Sequence, residues 1–105
     1  MNAVIYLNYL DGNLETLWNN VKRAGKHIEF VSVINEEGIA NAMNKGLKQI
    51  NFDVVDYVTI LANDILEPDN WLISRNEFMQ DKTIGICAFP LVGGFDDTTD
   101  IIGNF

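Results

Sequence analysis

A chain of 105 residues, 48% of them hydrophobic, suits one compact domain and excludes a second, since a domain of this size buries well over half of its unfolded surface. A formal charge of −8, with seven Lys and Arg scattered along the sequence, excludes nucleic acid and anionic membrane surfaces as partners, because both need a basic patch. The same acidity opposes any anionic ligand unless a metal ion or helix amino-termini offset it.

Ala3 to Leu7 is a short apolar run of strand type, and Asp11-Gly12-Asn13 supplies a turn and a helix N-cap. Leu14, Leu17, Trp18 and Val21 recur at i, i+3, i+4 and i+7, which makes one buried helix face, and Gly25 is placed to stop that helix. Glu29 to Ile34 is rich in Val and Ile with little alternation, as in a parallel strand covered on both sides. Ala40, Met43, Leu47 and Ile50 form the inner face of a second helix. Gly46 inside it costs about 1 kcal/mol relative to Ala, which implies close packing. Val54 to Leu61 is the strongest strand, Asn70 to Gln80 is a third helix after Pro68, and Thr83 to Phe89 is a fourth strand stopped by Pro90. Strands alternating with helices predict an α/β fold of right-handed βαβ units, a three-layer Rossmann-like arrangement with a mostly parallel sheet and helices on both faces. Residues 93–105 read as a flexible turn with room for a final strand cut short, and there is no internal repeat or low-complexity tract.

Much of the sequence carries no chemistry. Cys87 lies in the apolar run 84–89 and reads as a small buried hydrophobe. His27 is isolated beside Lys26, a solvated loop residue, so neither a zinc site nor a Ser, His and Asp arrangement can be assembled. Asp96, Asp97 and Asp100 lack the spacing of a calcium loop, and Gly93-Gly94 opens no helix of a dinucleotide fingerprint. The sequence shows no basic n-region with a following apolar h-region and no apolar stretch long enough to span a bilayer, so a reducing, cytoplasmic location is the default expectation.

One segment stands apart. The apolar run from Tyr57 stops at Asn63-Asp64, and Pro68-Asp69-Asn70-Trp71-Leu72 follows. A carboxylate is thereby placed at the carboxyl end of a strand, the edge where open α/β sheets bind ligands. Asn and Asp also serve simply to turn a chain, which is the plainer reading of the pair.

Leu61-Ala62-Asn63-Asp64 with Pro68 to Leu72 resembles the region around the DxD-type motif of inverting nucleotide-sugar glycosyltransferases of the GT-A fold, family 2-like. Glu37 to Leu47 is similar to that family's helix, in which a Gly-Ile-Ala lead-in precedes an Ala-Arg-Asn-x-Gly core. Val4 to Asn8, followed by Leu14 and Leu17, resembles the opening strand and first helix. The likeness runs from about Ala3 to Leu91 and covers the N-terminal, nucleotide-binding half only. It implies a nucleoside diphosphate sugar as ligand, with Mn or Mg held against the diphosphate. By position, Asp64 matches the last acid of the motif and is the implied metal ligand, while Asn63 matches its middle residue and Ala62 stands where its first acid would be. Asn8 matches the Asn that closes the first strand beside the nucleobase, and Asn44 the Asn of the helix core. Met43 replaces the usual Arg and reads as core. Asn35 falls near the base-binding acidic pair, where Ile34 aligns with the leading Asp. A second alignment instead makes residues 29–37 a later strand, and both stand at this point.

Catalytic residues are not identified, because in the family the base lies in the second half. The implied reading is a single truncated or minimal domain over residues 1–105 that binds a nucleotide sugar through a metal and is inactive alone. Its uncovered strand edges predict a homo-oligomer or the remainder of a longer chain. The alternative is a non-enzymatic interaction module that has lost the donor site, which accounts for Ala62, Ile34 and Met43 together. Trp71 is expected to pack beneath the sheet edge rather than stack on sugar.

Overall fold

The computed structural model describes residues 1–9, 14–36 and 38–88. In chain order it contains β1 (Asn2–Leu7), α1 (Leu14–Arg23), β2 (Phe30–Ile34), α2 (Ile39–Lys48), β3 (Tyr57–Ala62) and α3 (Trp71–Met79). The chain divides into two compact units, Met1–Ser74 and Arg75–Phe105.

The first unit is a small α/β assembly around a three-stranded parallel sheet of order β2-β1-β3. Parallel neighbours need crossover connections, and α1 and α2 supply them. The register sets Ala3 opposite Phe30 and Val58, and Leu7 opposite Ile34 and Ala62. Ala3 to Tyr6 are at most 1% exposed. Because successive strand side chains point to opposite faces, Val4 and Tyr6 join Leu17, Ala24, Leu61, Trp71 and Leu72, whereas Ala3 and Ile5 join Ile34, Ala42, Ile50 and Val55. Each fully buried Val or Ile there contributes about 1.5–3 kcal/mol.

Local chemistry shifts several expected boundaries and faces. β3 begins at Tyr57 rather than Val54 because Asn51 claims the preceding amides: its side-chain oxygen accepts from Asp53, and its carbonyl accepts from Val54 and Val55. On α1 the buried face is rotated from the expected one. Leu17 is buried, but Trp18 is 52% exposed and Leu14 is also exposed, while Asn20 is fully buried. On α2 the residues nearest the sheet are the small ones, Ala42 and Gly46, with Met43 and Leu47 half-buried beside them and Ala40 exposed. A Cβ on Gly46 would lie 2.6 Å from Ile5 Cγ2, so the close packing expected of this glycine is present.

In the second unit α3 ends at Met79 and Asp81 builds a turn, its Oδ1 accepting from the Thr83 amide at 3.0 Å and the Thr83 hydroxyl at 2.7 Å. The strand expected at Thr83 to Phe89 does not form over residues 83–88. The turn consumes Thr83, Gly85 carries no side chain to pack, and a strand needs a ladder partner that none of the described residues provides. Phe89 and Pro90 lie outside the described residues, as do the Asp11-Gly12-Asn13 turn, the acidic run Asp96 to Asp100 and the last expected strand. Cys87 is half-buried and His27 is exposed in a loop. Among the described residues no helix is long and apolar enough to cross a membrane.

Two measurements check this packing. Gly46→Ala places its methyl inside the contact distance of buried Ile5. Overpacking of about 1–3 kcal/mol outweighs the helix-propensity gain of about 1 kcal/mol, so urea unfolding shows a net loss. In an Ile5→Ala background the same change is neutral or stabilising, because the obstructing atoms are gone.

Glu29 accepts from the Asn2 amide at 2.5 Å while its own amide donates to Asn2 O at 3.0 Å, tying the starts of β1 and β2. The Asn2 hydrogen bond holds the Glu29 carboxyl below its ordinary value of 4.5. A lowered folded value means that the contribution is complete above about pH 4.5 and is lost as pH falls through the folded pKa. Glu29→Gln therefore narrows the gap between the acid and neutral stability of the protein, measured by circular dichroism melts. An unchanged pH profile would show that this carboxylate contributes nothing.

Candidate functional site

The carboxyl ends of all three strands open into one pocket of about 410 Å³, lined by Leu7, Ile34 and Ala62 from the strand ends together with Tyr9, Glu36, Gly38, Ile39, Ala42, Asn63 and Asp64. Leu7, Ile34 and Ala62 are mutual partners in the ladder and so face the same side of the sheet. The chain leaves β1 for β2 on one side and returns past it to β3 on the other. That reversal of strand order opens a crevice at the strand ends, and ligands of open α/β sheets bind in such crevices. The volume falls in the range of small-molecule sites.

Glycine is required at the pocket's α2 wall. Gly38 caps the helix at φ 90°, a conformation that L side chains rarely adopt, although a Cβ would meet only the Asn41 side chain at 3.8 Å. Its carbonyl accepts the Ala42 amide, and as a glycine it offers no side-chain cap to the helix start. The amino-terminal end of α2 therefore presents backbone donors and a positive dipole end on the pocket side.

The β3 wall is fixed by hydrogen bonds. Asn63 Nδ2 donates to Tyr9 O at 2.7 Å, joining the residues that follow β3 and β1. Asp64 is exposed, and no hydrogen bond or ion pair to its carboxylate is found among the described residues. Glu36, the other acid at the pocket, is paired with Lys45 Nζ from α2.

Behind Asp64 the chain is anchored to α1. Fully buried Asn20 donates from Nδ2 to Ile65 O at 2.8 Å and accepts the Glu67 amide at Oδ1 at 2.9 Å, while its own carbonyl accepts Trp71 Nε1 at 2.8 Å. Arg23 adds a bond to Glu67 O at 3.2 Å. Trp71 is 2% exposed within the core, which is the packing role expected of it.

The sequence-derived residues fall in different places. Asn63 and Asp64 line the pocket together. Asn8 is buried beside it, its amide donating to Ile34 O at 2.9 Å and its Oδ1 without a hydrogen-bond partner among the described residues. Asn35 is exposed between the two lining residues Ile34 and Glu36, and Asn44 is exposed on α2 and does not line the pocket. Tyr9, Glu36, Lys45 and Asn20 were not indicated by any motif. Asn20 did leave a signal, since it lies three residues after Leu17 and a polar residue inside an apolar stripe implies a buried hydrogen-bonding role. Among the described residues no group of three or more His, Cys, Asp or Glu is arranged to hold a metal. The chain matches no family model, no curated protein and no solved structure.

Truncating Asn20 to Ala removes the bonds that it makes to Ile65 O and to the Glu67 amide. The expected loss in urea unfolding is about 2–4 kcal/mol, whereas Asn44→Ala on the exposed face of α2 stays within about 0.5 kcal/mol. Equal effects would refute the anchoring role.

Proposed function

We propose that the pocket at the strand ends receives a nucleoside diphosphate sugar, and that the fold is the nucleotide-binding half of a three-layer, Rossmann-like GT-A domain with helices on both faces of the sheet. The observation that carries the reading is the convergence of Asn63 and Asp64 with the ends of all three strands and the uncapped start of α2. The alternation of β1 residues between two core clusters, one with Ala42 of α2 and the other with Leu17 of α1, supports the layered arrangement.

The chemistry of the residues suits this ligand. Tyr9, Leu7, Ile34 and Ile39 offer apolar surface for a base or sugar ring, and the start of α2 attracts phosphate. A diphosphate beside Asp64 and Glu36 adds charge to an acidic site, so a divalent cation is needed to offset it. Mg²⁺ or Mn²⁺ is commonly bound by one or two carboxylates with phosphate and water filling the other positions. Asp64, exposed and without an ion-pair partner among the described residues, is the carboxylate that fits. When bound, the cation would neutralise adjacent phosphates. Sugar transfer further requires a base for the acceptor hydroxyl, which the resemblance places beyond the matched residues. A second copy of the chain or a further segment would complete such a site.

The second reading is an interaction module whose pocket takes an apolar side chain of a protein partner. It is favoured by the exposure of Tyr9 and Ile39, 53% and 69%, at the pocket itself.

Calorimetric titration with a panel of nucleoside diphosphates and their sugars, with and without Mn²⁺, separates the two. Under the donor-site reading binding depends on metal, and Asp64→Asn lowers it at least tenfold while leaving the apo melting temperature unchanged or raised, because a negative charge leaves an acidic chain. A wild type that binds no nucleotide under any metal condition would favour the interaction module.

A further inference from the structure

We infer that Lys45 is an anion-binding residue of the pocket and that Glu36 is its built-in competitor, an internal carboxylate holding the place of a ligand's phosphate. The inference rests on the reading of the pocket as a phosphate site and adds to it the source of positive charge and the way that charge is controlled.

Three observations converge. Glu36 lines the pocket, and its Oε1 accepts a charged hydrogen bond from Lys45 Nζ, so the ammonium group of α2 lies one hydrogen bond from a lining carboxylate. Glu36 also lies two residues before Gly38, the cap of α2, which offers no side chain to the first helical amides. A carboxylate preceding an uncapped helix start and paired with a lysine has two of the features by which proteins hold phosphate. Finally, both side chains remain partly exposed, Lys45 at 58% and Glu36 at 37%. A pair open to water contributes little stability and exchanges partners readily.

The electrostatic balance then decides which anion Lys45 holds. Among the described residues, Glu36 and Asp64 give the pocket lining two negative charges, and the ammonium group of Lys45 is already neutralised by its pairing with Glu36. An entering phosphate that carries more charge and more acceptor oxygens than a carboxylate takes over the ammonium group. Glu36 is then released toward solvent or toward a cation that accompanies the ligand. Met43, half-buried on the same helix, carries no charge with which to substitute for Lys45.

Inorganic pyrophosphate without metal is the probe, titrated into the full chain by NMR while the Lys45 side-chain signals are followed. Glu36→Gln keeps the shape of the side chain and removes its charge, so it tightens pyrophosphate binding by about three- to tenfold over wild type. Lys45→Met weakens binding, and the Glu36→Gln/Lys45→Met double variant loses the whole gain, whereas Glu36→Gln/Lys45→Arg retains it. Circular dichroism melts confirm that all four variants fold. Glu36→Gln binding no tighter than wild type, a gain that survives Lys45→Met, or no pyrophosphate binding by any form would each overturn the inference. The nucleotide reading fails separately. Charge-dependent pyrophosphate binding in a protein that ignores every nucleoside diphosphate with Mn²⁺ keeps the anion site and removes the donor site. Nucleotide binding indifferent to Glu36→Gln removes the competitor alone.

Discussion

Everything in the first unit is referred to β1, whose residues from Ala3 to Tyr6 are sealed from water and divide between two core clusters. A strand buried in this way cannot shift by one residue, because the side-chain period of two would exchange every contact between the faces. With β1 fixed, the partners on each side are fixed in register, and their carboxyl ends come level at Leu7, Ile34 and Ala62. The pocket is the outcome of that levelling. It is lined by residues at and beyond the strand ends and by the start of α2, and its position is set by apolar contacts deeper in the sheet that have no chemistry of their own.

The walls of the pocket differ in how they are held. On the α2 side the restraint is steric: Gly46 lets the helix approach Ile5 closely, and Gly38 adopts a backbone conformation closed to other residues. On the β3 side the restraint is polar, with Asn20 satisfying the backbone on either side of Leu66. Asp64 lies between the Asn63–Tyr9 bond and this anchor, and its carboxylate is left exposed while the backbone around it is tied. Such an arrangement is suited to presenting a charge at a fixed place, since the supporting bonds belong to neighbours and not to the charged group itself.

The sheet was largely legible in the sequence because its signals are local. Val and Ile runs marked β1 and β2, and the break at Asn63-Asp64 marked the end of β3 within a residue or two. The start of β3 was less clear, since hydrophobicity continues through Val54 and Val55 and only the capture of amides by Asn51 ends the turn there. The face of α1 was misread because Trp18 completes an apolar stripe by spacing, although a bulky ring cannot fit where Asn20 meets the segment after β3. Residues 83–88 have the composition of a strand and are not one, because pairing depends on a partner elsewhere in the chain. As for the site, Asn63 and Asp64 were visible as an abrupt change of character along one segment. Glu36 and Tyr9 meet at the pocket, and Lys45 meets Glu36, only through the register of β1 with β2 and the packing of α2, which no short motif encodes.

The junction between α1 and α3 has a consequence for how this protein can change over evolutionary time. The carbonyls of Arg23 and Ala24, at the end of α1, accept the amides of Asn70, Leu72 and Ile73 at the start of α3, so the two helix ends satisfy one another's free backbone groups. Asn70 meets this junction at a φ of 61°, and a Cβ on Gly25 would approach its Oδ1 to 2.6 Å. The link from Asp64 to Trp71 is therefore of set length, anchored at both ends and in the middle. An insertion or deletion there would break several bonds at once, while a single substitution at exposed Leu66 or Asp69 would break none. This stretch should accumulate replacements without gaps across related sequences, and length variation should gather instead around the 51–54 turn, where the bonds reach no further than four residues.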